Sequence, residues 1–338
     1  MYANNLSRDS NIDFLRFIGL TAIILVHVTP PLLISQLRAF DVSLMVFVSG
    51  LAASNKIIND YKSYFWKRTK RLVIPVWIFL ALYIPFLEVI SNLGLLSVKS
   101  FLSADVIIDS FALRLGIGYI WIFRIFLMMM FLLPVIQWSN KKIISNRMYL
   151  LLIAVALCIQ YVLIFIFNSI EDGFLRRSFH YYIIDCFGYA LLLSLGVRIR
   201  NINNTEKRWW VVISLLTLIG GIIIYVNYNG FPIILSPTYK YPPYGYYLIY
   251  GMVCCILLWC CKSMYERFSK FKFFSYIGSN TCWIYLWHIP VLLLSSVLFN
   301  SWWYRFLFVY SISILFYTIQ RRIVVLYLNN TSIQQYLL

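Results

Sequence analysis

The chain has 338 residues, of which 62% are apolar and only 12% charged, against roughly 45–50% and about 25% in soluble domains. A soluble globule of this size could not cover its surface with so few polar side chains, and disorder and collagen fail on the same composition. The net charge of +17 would point to nucleic acid in a soluble chain, but in a membrane protein basic residues crowd the cytoplasmic loops, and no nucleic-acid partner is expected.

The amino-terminal MYANNLSRDSNID lacks the basic region and small-residue cleavage site of a signal peptide, so the first apolar run is expected to remain as an anchor. Ten apolar stretches of bilayer-spanning length follow, at roughly 14–34, 40–57, 72–92, 118–138, 149–169, 181–198, 210–229, 246–262, 276–298 and 303–320. Kinks are expected in the third, at Pro75 and Pro85, and in the ninth, at Pro290. The expected fold is an all-α polytopic membrane protein. With the amino terminus inside, 20 of the 29 basic residues fall on the inner side, seven on the outer side, and Arg16 and Arg124 within spans. That asymmetry puts both termini in the cytoplasm. The cysteines Cys158, Cys186, Cys254, Cys255, Cys260, Cys261 and Cys282 show no metal-ligand spacing and read as small apolar residues.

The first span carries Asp13, Arg16 and His27. Eleven residues of helix turn through three full turns plus about 20°, so Arg16 and His27 share a face about 16 Å apart along the axis. Asp13 can pair with Arg16 one turn on. Arg16 alone could be a snorkelling side chain. His27 lies deeper. It is either bonded to a neighbouring helix or a general acid or base, since imidazole titrates near neutrality. His288, on the ninth span with Thr281 and Tyr285 on the same face, falls at nearly the depth of His27, so the two could line one cavity. His180 sits at a loop boundary and reads as ordinary.

Between the second and third spans, Arg68 and Arg71 lie in YFWKRTKRLVIP. They are either part of the topology signal or a pair of guanidiniums that grip a phosphate-bearing cosubstrate. Asp41, Glu88, Arg124 and Asp185 occupy the outer halves of spans. These charges either pair with one another or line a cleft for an acceptor. The outer segment SPTYKYPPYGYY suits an interfacial aromatic belt or a platform that stacks on a sugar ring.

Together the motifs resemble the acyltransferase-3 family of bacterial integral-membrane acyltransferases. DFLRFIGLTAIILVHV carries the family's basic residue, ten spacers and histidine at Arg16 and His27. FDVSLMVFVSGL is similar to its apolar run ending in Ser-Gly, here Ser49 and Gly50. KRTKRLVIP is similar to its RxxR and proline, here Arg68, Arg71 and Pro75, and IGSNTCWIYLWHIP to its late Tyr-Leu-x-His-x-Pro. YIWIFRIFLMMMFLLP matches a family Trp segment less closely, with Arg124 in place of an uncharged or acidic residue, and KYPP recurs in members that act on polysaccharides. The resemblance spans one transmembrane domain at 10–322, followed by a short cytoplasmic tail at 323–338 without a fused extracytoplasmic domain.

The resemblance implies an O-acyltransferase, most often an O-acetyltransferase, in the bacterial cytoplasmic (inner) membrane. It would move an acyl group from cytoplasmic acyl-CoA, a cosubstrate and not a resident cofactor, to a hydroxyl of a surface polysaccharide such as O-antigen or of its lipid-linked precursor. His27, Arg16 and Asp13 are then the expected catalytic residues, with His27 as base and Arg16 and Asp13 at the cytoplasmic entrance. Arg68 and Arg71 are expected to bind the donor. Tyr285 and His288 are expected to stabilise the oxyanion or orient the acceptor, alongside Asp41, Glu88, Arg124 and Asp185. No metal is expected, and a transient acyl-histidine is a variant. The alternatives are a transporter or flippase for a lipid-linked glycan or acyl donor, and an inactive scaffold of a surface-polymer complex.

Overall fold

Backbone N–H and C=O groups find no water in a bilayer, so each apolar stretch must satisfy them within itself by coiling into a helix. The computed structural model describes residues 9–94, 99–229, 240–328 and 331–338; Arg8 of the charge count and residues 236–239 of the Tyr/Pro segment lie outside them. In chain order the helices are α1 (Ser10–His27), α2 (Leu32–Leu37), α3 (Asp41–Ala53), α4 (Tyr61–Asn92), α5 (Ala104–Phe111), α6 (Trp121–Lys142), α7 (Asn146–Ser169), α8 (Phe174–Phe179), α9 (Asp185–Ile199), α10 (Asn204–Asn229), α11 (Gly245–Cys260), α12 (Lys262–Ser269), α13 (Lys272–Ser279), α14 (Thr281–Leu298), α15 (Trp302–Tyr327) and α16 (Thr331–Leu337). Among the described residues nine helical segments are long and apolar enough to cross a membrane, or ten when α11 and α12, bent by 67° at their junction, count as one. The protein is an all-α polytopic membrane protein. We call the face at which α1 starts the inner face and the opposite one the outer face.

Helix α1 sits at the centre, against α3, α12, α13, α14 and α15. Helices α7 and α10 present nearly all of their apolar surface outward, as expected of helices that face lipid. Two packing contacts set the scaffold, and both use glycine. Gly50 of α3 and Gly196 of α9 face each other: a Cβ on Gly50 would strike the Leu193 carbonyl, and one on Gly196 the Phe47 carbonyl. Small residues allow such close backbone approach where lipid supplies no hydrophobic drive. Gly278 of α13 likewise lies against the Asp13 carbonyl of α1, with no room for a methyl group.

Several boundaries differ from the sequence reading. The first span ends at His27, because the Pro30–Pro31 pair cannot donate backbone hydrogen bonds and Thr29 takes a left-handed conformation (φ 54°). The chain then turns through α2 into α3. The ninth stretch is broken at Asn280 into α13 and α14. Helix α4 continues through Pro75 and Pro85, and α14 through Pro290. Residues 323–327 extend α15, and α16 folds back onto α4 and α15. There Trp283 Nε1 donates to the Tyr336 carbonyl at 3.0 Å and Gln320 Nε2 to the Leu337 carbonyl at 2.7 Å. Cys158 and Cys261 are exposed, unlike the buried Cys255.

Overpacking a tight helix crossing costs about 1–3 kcal/mol. Gly196→Leu is therefore expected to lower the melting temperature of the detergent-solubilised protein by several degrees, while Gly220→Ala, at an open position on α10, leaves it unchanged or slightly higher. Fluorescence-detected size-exclusion melts of both variants check this.

Candidate functional site

The end of α1 brings His27 against His288 of α14. His27 Nδ1 lies 2.8 Å from His288 Nε2, and the rings stack with centroids 5.0 Å apart. His288 is fully buried and His27 half-buried. The other nitrogen of His288, Nδ1, meets the backbone carbonyl of Tyr285. A carbonyl only accepts, so Nδ1 of His288 carries the proton. For two neutral rings Nε2 of His288 is then an acceptor, and His27 must donate from Nδ1. That leaves Nε2 of His27 with an unprotonated lone pair. One backbone carbonyl thus sets the tautomers of both rings.

Two tyrosines complete this cluster. The Tyr285 hydroxyl donates to the Tyr119 carbonyl at 2.6 Å, and its ring lies 4.6 Å from that of His288. Tyr119 stands edge-on to His27 at 4.7 Å. Its loop is shaped by Gly116 (φ +45°), which lies against Ser110 where a side chain would collide, and by Gly118 (φ +85°). Ser110 Oγ accepts from Ile117 N at 3.0 Å and anchors the turn.

The cluster separates two cavities. The inner one, of about 380 Å³, has Tyr285 among its lining residues, with apolar walls from residues such as Leu20, Met45, Met129 and Leu133. Among the described residues its polar lining includes Arg16, Lys56 and Arg68, and no carboxylate. The first turn of α14, at Thr281 and Cys282, also lines it. No side chain caps that helix end: Asn280 instead donates to the Tyr276 carbonyl and accepts from the Tyr317 hydroxyl. A helix N-terminus beside three cations favours an anion. The outer cavity, of about 170 Å³, is lined by His27, Tyr83, Tyr119, Ser296 and Arg305 together with apolar residues.

The structure brings some of the sequence candidates together and separates others. Arg16 pairs with the buried Asp13 at 3.0 Å and lines the inner cavity. Thr281 and Tyr285 line that cavity on one face of α14, and Arg68 joins them from α4. Arg71 does not. It is exposed, and Lys56 joins Arg16 and Arg68 in the lining instead. Lys56 is held by Gln137 of α6, whose Nε2 donates to the carbonyls of Ala53 at 2.6 Å and Lys56 at 3.0 Å.

The acceptor-side expectations need correction. Both nitrogens of His288 and the hydroxyl of Tyr285 are committed within the cluster, so these residues hold His27 and present no free donor to an acceptor. Asp41 is buried between Arg38 (2.7 Å) and Lys240 (2.8 Å). Arg124 and Asp185 form a buried pair at 2.9 Å, with the guanidinium 4.2 Å over the Tyr181 ring and His180 Nε2 3.3 Å from the same carboxylate. A π-helical turn over His180–Ile184 sets His180 above Asp185. Glu88 is exposed on α4. None of Asp41, Glu88, Arg124 and Asp185 lines either cavity. Sequence reading missed Lys56, Tyr119 and Arg305. Lys56 was visible only as one of many inner-side cations, and Tyr119 contributes a backbone carbonyl, which no residue type announces.

A protein-family model described as an acyltransferase domain matches residues 9–322. No curated protein and no solved structure matches the chain.

Much of the Lys56 side chain is open to solvent. Even so, partial burial at the cavity wall first, and then the charges of Arg68, Arg16 and Arg71, hold its pKa below the ordinary lysine value. The folded protein therefore binds this proton less tightly than the unfolded chain does. The stability lost to the charged ammonium is recovered as pH rises from the depressed pKa toward the ordinary lysine range. Arg68→Gln is expected to move the Lys56 pKa upward, and so is an anion bound in the inner cavity. A ¹³C-methyl-lysine NMR titration, with the signal assigned by Lys56→Arg, reads both shifts.

Proposed function

The chain belongs to the acyltransferase-3 family of integral-membrane acyltransferases, and from that premise we propose that it transfers an acyl group, most simply acetyl, from cytoplasmic acyl-CoA to a hydroxyl of a glycan that arrives from the opposite face. The observation that carries this reading is the histidine pair beside two cavities, one lined by residues of the inner half such as Arg16 and Arg68 and the other by residues of the outer half such as Tyr83 and Arg305. The excess of basic residues at the inner face supports reading that face as cytoplasmic, and the family reading makes the membrane a bacterial inner membrane.

In this reading the phosphates of the coenzyme sit among Arg16, Lys56, Arg68 and the first turn of α14. Arg16 is held in place by Asp13. The pantetheine arm follows the apolar wall toward Tyr285. The acceptor hydroxyl enters the outer cavity and meets Nε2 of His27, the nitrogen left unprotonated by the bond to His288. His27 takes the hydroxyl proton as the oxygen attacks the thioester carbonyl. Collapse of the tetrahedral intermediate breaks the C–S bond, and the imidazolium returns the proton to the departing sulfur. The products are the ester and the free thiol of the coenzyme.

His27 stands in the last turn of α1, where the negative end of the helix dipole faces the positive charge that forms on the ring. His288 is a positioning residue, since it orients the base and fixes its tautomer, as a third group does in hydrolase triads. In this reading the Tyr285 side chain, whose hydroxyl donates to the Tyr119 carbonyl, moves aside for the thioester to reach the base.

The test uses the purified protein in nanodiscs with [¹⁴C]acetyl-CoA and the glycan-bearing lipid fraction of its host. Label is expected in the glycan as a base-labile ester. His27→Ala is expected to lower transfer by about 10²–10⁴-fold. His288→Ala should cause a smaller loss, and His288→Gln should restore part of it because its amide oxygen can accept from His27 Nδ1. Glycan that crosses the membrane without label would replace this reading with the transporter.

A further inference from the structure

Among the described residues, the acceptor side holds a cation with no carboxylate partner. Among the described residues, five arginines of the outer half are buried or half-buried: Arg38, Arg114, Arg124, Arg176 and Arg305. Four face a carboxylate: Arg38 that of Asp41 at 2.7 Å, Arg114 that of Asp109 at 3.4 Å, Arg124 that of Asp185 at 2.9 Å and Arg176 that of Asp172 at 2.9 Å. Arg305 has no such partner. The hydrogen bond its guanidinium makes, to Thr29 Oγ1, is 3.5 Å long, and its Nε is buried without a partner.

Arg305 projects from the first turns of α15 into the outer cavity, whose described lining includes His27 and no carboxylate. Ser296 Oγ, also in the lining, is spent on the Leu293 carbonyl. A half-buried guanidinium with an unsatisfied donor is costly to maintain, and its planar fork matches the paired oxygens of a carboxylate or phosphate.

We propose that the outer cavity recognises an anionic acceptor: a hydroxyl compound whose carboxylate or phosphate is bound by Arg305 while its hydroxyl is presented to Nε2 of His27. This rests on the reading of His27 as the base on the acceptor side. Arg305 is the specificity determinant of that site. A neutral sugar leaves the guanidinium unpaired and binds more weakly. The same oxyanion chemistry exists in a phospholipid headgroup, so the test separates the two sources.

Equilibrium dialysis with the purified protein in maltoside detergent uses three probes: methyl glucuronide, glucose 6-phosphate and neutral methyl glucoside. The expected result is that one or both anions bind at least tenfold more tightly than methyl glucoside. Arg305→Gln is expected to abolish that preference and Arg305→Lys to restore part of it, while retained binding of acetyl-CoA at the inner cavity shows that the variants are folded. Equal binding of all three probes by the unmodified protein overturns the proposal. So does displacement of the anions by added phosphatidylglycerol, which would assign Arg305 to a headgroup. In the transfer assay, an equal loss on neutral and anionic acceptors in Arg305→Gln also overturns it and makes Arg305 a general transition-state group. Anion preference through Arg305 without transfer to any acceptor would instead sink the acyltransferase reading and leave the binding site standing. Transfer without anion preference would do the reverse.

Discussion

The register of α1 against α13 and α14 governs everything that follows in this structure. Near the inner face Gly278 lies directly against the Asp13 backbone. Toward the outer side His27 meets His288. Two fixed points on one helix leave no freedom to slide or rotate, because a helix in a packed bundle can move only in whole steps of its side-chain pattern. The arginine one turn after Asp13 and the histidine at the end of α1 are therefore delivered to one side of the bundle by a single rigid rod. The proline pair after His27 is part of the same constraint. It stops the helix at the depth where the imidazole meets its partner and leaves the ring at the edge of an open space.

The two cavities differ in the way their tasks demand. The inner one is the larger and mostly apolar, and its lining includes three cations and the first turn of a helix whose end no side chain caps. That arrangement suits a molecule with a charged head and a thin, nearly neutral arm. The outer one is smaller and is dominated by aromatic edges, one imidazole and one guanidinium. The buried ionic pairs elsewhere, Arg124 with Asp185 and Asp41 between two cations, tie helix ends and loops together near the outer face. Within a bilayer a charge must be paired, so such residues are as readily mortar as machinery.

Much of this was readable from residues alone, because the bilayer imposes simple rules. Helix-length apolar runs and the placement of lysine and arginine define spans and orientation. The spacing from Arg16 to His27 placed them on one face, and counting turns brought His288 near the depth of His27. What could not be read depends on contacts between distant segments. Arg68 and Arg71 are equivalent as residue types, and only the packed structure shows that Arg68 lines the cavity while Lys56, whose carbonyl is held by Gln137, supplies the other charge. Asp41 finds Lys240 across 199 positions of sequence. The isolation of Arg305 is a statement about what does not surround it, which composition cannot express. His288 was expected to act on the acceptor, whereas it turns both nitrogens inward, a matter of ring orientation that no spacing predicts.

The bond from His288 to the Tyr285 carbonyl has one more consequence. A pair of imidazoles beside two cavities has the makings of a wire for protons, since each ring can receive a proton on one nitrogen and release one from the other. A wire must be continuous, and this one is not. Its inward end is an amide carbonyl, which accepts a hydrogen bond but does not pass a proton on. The pair therefore ends, on the His288 side, on an acceptor that cannot relay a proton.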